Sequence, residues 1–186
     1  MPMTSTGFDR EALRREIESR RSEFVSVLST LVNVPSVSMQ PAHRADCRRT
    51  AELAQKLVEE RGGTARLVET DGNPVVVAEL PGPSGSPVVT IYNHLDVQPA
   101  GEPEWRSDPF RFTRRGDRYL GRGTTDDKGP AITALFGARY AHERGVPVNI
   151  RLTSERAGLA LRSNEVSPKL HPSIAWVMML HSSVQE

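Results

Sequence analysis

A histidine and an aspartate two positions apart, His94 and Asp96, close an apolar run, Val88-Val89-Thr90-Ile91-Tyr92, whose β-branched residues predict a buried strand. Side chains two apart in an extended chain point the same way, so His94 and Asp96 are expected to project together from the strand's carboxyl end. That is where open α/β sheets keep their sites. Some thirty residues later, Gly121-Arg122-Gly123-Thr124-Thr125-Asp126-Asp127-Lys128-Gly129-Pro130 forms a glycine-punctuated turn with two adjacent carboxylates, just before a helix-like segment. An imidazole and carboxylates brought together at a strand edge would suit a hard or borderline divalent cation, and zinc accepts both ligand types. Each motif alone has a plainer reading. A His-x-Asp usually makes a surface hydrogen bond, and Asp-Asp beside Gly and Pro is usually a solvated turn.

The elements around these residues read as an α/β domain, a mixed sheet flanked by helices. Leu13, Ile17, Phe24, Leu28 and Leu31 keep one face apolar over residues 8–33, which predicts a single helix, with Thr6 and Asp9 placed like a capping box. Val34-Pro35 ends it, because the residue before proline avoids the helical region, and Ser36-Val37-Ser38 reads as loop. A second helix is expected from about Arg44 to Arg61, with Cys47, Ala51, Ala54, Leu57 and Val58 inward and Gly62-Gly63 as its left-handed cap. Thr64 to Glu69 and Pro74 to Leu80 predict a hairpin about Asp71-Gly72-Asn73. Phe110 to Thr113 and Arg118 to Leu120 predict a shorter one about Gly116-Asp117. A third helix begins near Pro130 and ends near Gly145, and Pro147 to Thr153 predicts a further strand.

Composition narrows the function classes. The chain has 186 residues, 25% charged and 37% hydrophobic, with a net charge of +1, which gives no electrostatic case for nucleic acid. Gly121-Arg122-Gly123 lacks the context of a phosphate-binding loop, and the neighbouring aspartates would repel phosphate. The single cysteine, Cys47, excludes an internal disulfide and reads as core filler. No run approaches the roughly 18 apolar residues of a membrane span, and the first residues have no signal-like apolar stretch, so a cytoplasmic chain is expected.

Taken together and in order, Tyr92-Asn93-His94-Leu95-Asp96-Val97-Gln98-Pro99, Glu104-Trp105, Asp108-Pro109-Phe110, Tyr119-Leu120-Gly121-Arg122-Gly123 and Asp126-Asp127-Lys128-Gly129-Pro130 resemble the zinc metallopeptidases that include carnosinase, peptidase V, carboxypeptidase G and aminoacylase. The Trp-x-x-Asp-Pro-Phe and Asp-Asp-Lys-Gly-Pro details lean toward the dipeptidase branch. The resemblance covers roughly residues 20–153 and implies an incomplete zinc-exopeptidase catalytic domain. It implies two zinc ions, His94 as a ligand to one, Asp126 bridging both, and Asp96 holding the His94 imidazole in its metal-binding orientation. It implies a cis peptide at Asp126-Asp127. The implied reaction is attack of a metal-bridging water on an amide next to a free carboxylate, in a small peptide or N-acyl amino acid.

Past the last expected strand the resemblance stops. The family carries a Glu-Glu pair there, the first a general base and the second a zinc ligand; in this sequence those positions fall on Gly158 and Leu159, while Glu155 matches a glutamate without a chemical role. The expected organisation is therefore a partial catalytic domain, 1–153, and an unmatched tail, 154–186, as a truncation or a shifted reading frame would produce. Glu165, His171 and His181 are the tail's candidates by chemistry to replace the lost donors, and His43 and His142 are expected at the surface. With His94 and Asp126 alone, weak zinc binding is expected. The alternative to an enzyme is a non-catalytic fragment that folds poorly, or that associates with itself or with a full-length relative.

Overall fold

A computed structural model describes residues 9–155. In chain order the elements are α1 (Arg10–Ser19), α2 (Arg21–Val32), a 3-10 turn (Pro41–His43), α3 (Arg44–Glu59), β1 (Thr64–Val68), β2 (Val75–Leu80), β3 (Val88–His94), β4 (Thr113–Arg115), β5 (Arg118–Leu120), α4 (Lys128–Glu143) and β6 (Asn149–Glu155). Four strands form one mixed sheet in the order β1-β2-β6-β3, and β4 pairs with β5 apart from it. β6 is antiparallel to β2 and parallel to β3, so the last strand of the described chain is inserted between two earlier ones. The mixed sheet flanked by helices is the architecture expected from the sequence.

Burial explains the arrangement. Val76, Ala78 and Leu80 alternate along β2 onto one face and are nearly inaccessible. Val58 of α3 joins Ala78, Leu80, Leu135, Ala138 and Ile150 in one apolar cluster. Leu28, Leu31 and Val32 of α2 meet Ala51, Val76, Leu95 and Ile132 in a second. Full burial of such side chains stabilises by about 1.5–3 kcal/mol each, so these clusters fix where α4 and the end of β3 lie relative to one another.

Two expectations about elements need correction. The first helix is two: the chain breaks at Arg20, with φ −98° and ψ 3°. Arg20 leaves the helical path while its guanidinium pairs with Glu16 and, at 2.8 Å, with Glu143 of α4. Asp9 caps α1 by accepting the N–H groups of Glu11 and Ala12. The short hairpin has its second strand, Arg118 to Leu120, and its turn where expected, but its first strand is shifted, because Phe110 to Phe112 stay irregular and pairing starts at Thr113. Among the described residues no helix is long and apolar enough to cross a membrane.

Candidate functional site

The strand β3 carries its apolar run straight into Asn93 and His94, and the turn before α4 comes up beside it. Gly123 makes that approach feasible. Its φ is +90°, and a Cβ there would lie 3.0 Å from both the Lys128 and Val97 side chains. At Gly129 a Cβ would meet the Thr124 carbonyl oxygen at 2.0 Å, so the first turn of α4 can sit this close only without a side chain.

The two adjacent aspartates have different roles. Asp127 Oδ2 accepts the backbone N–H of His94 and the side-chain amide of Asn93, each at 3.0 Å, which ties the start of α4 to the end of β3. The Asp126-Asp127 peptide is cis. The Asp126 side chain remains 83% exposed, and its Oδ1 lies 3.0 Å from His94 Nε2. The other ring nitrogen, Nδ1, is 3.1 Å from the Asp96 carbonyl oxygen and 3.5 Å from its Oδ1. Since both neighbours of Nδ1 are acceptors, Nδ1 carries a proton, and Nε2 either donates to Asp126 or, in the neutral ring, offers its lone pair.

The surroundings decide the protonation state. Burial pushes the His94 pKa down, but hydrogen bonds to Asp96 and the negative charges of Asp127 and Asp96 outweigh it and raise the pKa to about 9. A cation held at Nε2 would have to displace that proton.

The segment after α2, expected to be loop, is stitched beneath the site. Ser36 Oγ donates to the Leu95 carbonyl at 2.8 Å, the Val97 N–H donates to the Ser36 carbonyl at 2.9 Å, and Val37 forms a parallel bridge with Val97. Ser38 Oγ donates to Oδ2 of Asp96, which is only 7% exposed. From the other side, the fully buried Lys128 Nζ donates to the Leu31 and Val34 carbonyls at 2.8 Å each. Arg122 fastens the loop after β3: its Nη2 donates to the Pro99 carbonyl and to Glu102, both at 2.9 Å, and its guanidinium lies 5.0 Å from the Trp105 ring centre.

The structure thus brings His94 and Asp126 together and sets Asp96 behind the imidazole. Sequence reasoning gave no role to Asp127, Asn93, Ser36, Ser38 or Lys128. The Asp127, Asn93 and Lys128 contacts were within reach of a signal, since all three residues stand inside the motifs. His43 and His142 serve local contacts, with Asp46 at 2.8 Å and the Pro81 carbonyl at 3.0 Å. Gly158, Leu159, Glu165, His171 and His181 lie outside the described residues.

The pair fits a zinc ion as two of its ligands. Two ligand atoms, each about 2.0–2.1 Å from one tetrahedral zinc, stand roughly 3.3 Å apart, close to the 3.0 Å between Nε2 and Oδ1. Among the described residues no group of three or more His, Cys, Asp or Glu side chains could hold a metal ion, so the donor set there ends at two.

Comparison with known proteins places this geometry. Residues 90–157 match the model of peptidase family M20/M25/M40. The Cys-Gly metallodipeptidase of Schizosaccharomyces pombe is 34% identical over 163 residues, covering 78% of this chain and 33% of that protein. The human Beta-Ala-His dipeptidase is 32% identical over 161 residues, covering 78% of this chain and 32% of the enzyme. Among solved structures, human carnosine dipeptidase 1 superimposes with a TM-score of 0.73 at 29% identity, over 81% of this chain and 36% of that one. An M20 family metallo-carboxypeptidase of Sulfolobus solfataricus gives 0.64 at 34% identity, over 72% of this chain and 30% of that one. The chain spans about a third of the length of the curated relatives it matches. On these grounds the chain is related to peptidase family M20/M25/M40, on its dipeptidase side, and its described residues build part of that family's catalytic domain.

Proposed function

We propose that this chain carries the first part of the metal-holding core of a dipeptidase-like hydrolase, which cleaves an amide bond next to a free carboxylate in a small peptide or N-acyl amino acid. The observation that supports it best is the convergence of His94 Nε2 and Asp126 Oδ1 to 3.0 Å at the carboxyl end of β3, with the other ring nitrogen already held. The names of the two relatives, a Cys-Gly and a Beta-Ala-His dipeptidase, support the substrate class.

Zinc would be held by His94 through Nε2 and by Asp126, whose exposed carboxylate has a second oxygen for a second ion. When bound, zinc supplies a Lewis acid for the amide carbonyl and for water. The chain's own residues do the positioning. Asp96 fixes the ring so that Nε2 faces outward, and Asp127 holds the end of β3 against the turn, which sets the spacing of the two donors. No described residue stands in the place of a general base. The test is hydrolysis of Cys-Gly and β-Ala-His by the full chain with zinc: turnover lost in His94→Ala supports the proposal, and turnover that survives it overturns it.

A second reading rests on the donor set of two among the described residues. On it, residues 1–153 are a partial catalytic domain and 154–186 a separate tail, and the chain alone holds zinc weakly. Further donors would then come from a second copy or a longer relative. Absence of turnover by the chain alone, restored by mixing with a longer relative, is its expected signature.

A further inference from the structure

The contacts beneath the donor pair assign a role to a residue outside every motif. We propose that Ser38 is a positioning residue for His94, acting through Asp96; the inference rests on the reading of His94 as a metal ligand. Ser38 lies 56 positions before His94 in sequence, yet its hydroxyl donates to Oδ2 of the buried Asp96 carboxylate. The other carboxylate oxygen, Oδ1, faces His94 Nδ1 at 3.5 Å, and the Asp96 carbonyl oxygen accepts from the same nitrogen at 3.1 Å. One residue thus meets the imidazole with two acceptors, and Ser38 holds the mobile one of the two.

The Ser38 hydroxyl is itself well placed. Val37 bridges to Val97, and Ser36 is bonded to Leu95 and Val97 on either side of Asp96. With the backbone on both sides fixed, the Ser38 bond is one of the contacts that restrain the χ angles of Asp96. A carboxylate held at one oxygen keeps the other directed at Nδ1, which keeps the proton on Nδ1 and Nε2 facing outward. Ser38→Ala takes one donor from the buried Asp96 carboxylate, so some loss of stability is expected beside the effect on the ring.

The test compares the full chain with Ser38→Ala, Ser38→Thr, Asp96→Ala, the Ser38→Ala/Asp96→Ala double variant and His94→Ala. Metal-free, the ¹⁵N signals of the His94 ring at fixed pH should broaden or shift in Ser38→Ala and return in Ser38→Thr, with every variant folded at the temperature of measurement. Zinc affinity should fall in Ser38→Ala by less than in Asp96→Ala, where the loss of a ligand's own partner costs about 10–100-fold. The double variant should be no worse than Asp96→Ala, because the two act as one unit. Ring signals untouched by Ser38→Ala, or additive losses in the double variant, overturn the proposal. Zinc affinity untouched by His94→Ala overturns the metal-ligand reading instead, and the ring signals still decide the role of Ser38.

Discussion

At the scale of single residues, the site is a set of acceptors built around one imidazole. Asp96, Asp126 and Asp127 all lie against or beside His94, and the hydrogen bonds to Asp96 with the charges of Asp127 and Asp96 outweigh the burial that alone would discharge the ring, raising its pKa to about 9. Two pH effects follow with opposite meaning. For folding, a pKa raised above the ordinary 6.5 contributes stability that is fully present below 6.5 and is lost as pH rises through about 9. For zinc, the proton is a competitor, so the apparent association constant should rise about tenfold per pH unit until the ring is neutral, readable by calorimetry in buffers of different ionisation enthalpy. Asp127→Asn removes one of the charges and should lower the His94 pKa in an NMR titration; an unchanged pKa would show that Asp96 alone sets it. His94 and Asp96 stood out in the sequence because polar types interrupt an apolar strand there, and Asp126 because the ordered motifs resemble the metallopeptidases, which named it over Asp127. Residue type alone does not tell which of the two aspartates faces outward, since that depends on the path of the turn.

At the scale of elements, one junction sets the spacing of the donors. The linker Asn33 to Ser38 is bonded to the His94 side through Ser36 and Ser38, and to the Asp126 side through Lys128 at the start of α4. Lys128 is fully buried, and burial pushes its pKa down to about 8 from 10.5. A depressed folded-state pKa means that the contribution to stability is present above 10.5 and lost as pH falls through about 8, so between these values stability rises with pH. Between about pH 9 and 10.5 this slope is free of the His94 effect. Lys128→Met should abolish it and should cost about 1–3 kcal/mol at neutral pH, because the Leu31 and Val34 carbonyls lose their donor; denaturant melts across pH check both. Helices and strands were readable from periodicity, including the hairpin about Gly72 and the end of α4 before Gly145. The break at Arg20 was not, because Leu13, Ile17 and Phe24 keep one apolar stripe across it, and the ion pair that Arg20 makes there is with Glu143, more than a hundred residues away. The same holds for Ser36 to Ser38, a loop by composition whose bonds span the distance to Leu95 and Asp96.

At the scale of the whole molecule, the sheet brings β3 to its margin. Among the described residues β3 pairs only with β6, and Val89 on it is 44% exposed. An open strand with no proline or lysine along it invites a further strand from elsewhere. The purified chain is therefore expected to self-associate, and Val89→Lys should shift it toward monomer in sedimentation velocity; an edge already covered would make the substitution neutral for association. The candidate metal donors lie at the same margin, since among the described residues His94 and Asp126 converge at the carboxyl end of this strand. The most direct measurement is a calorimetric zinc titration of the full chain beside His94→Ala and Asp126→Ala. The account predicts weak binding to the parent chain, reduced at least tenfold by either substitution. Binding that neither substitution changes would contradict it, because the ion would then sit away from the end of β3.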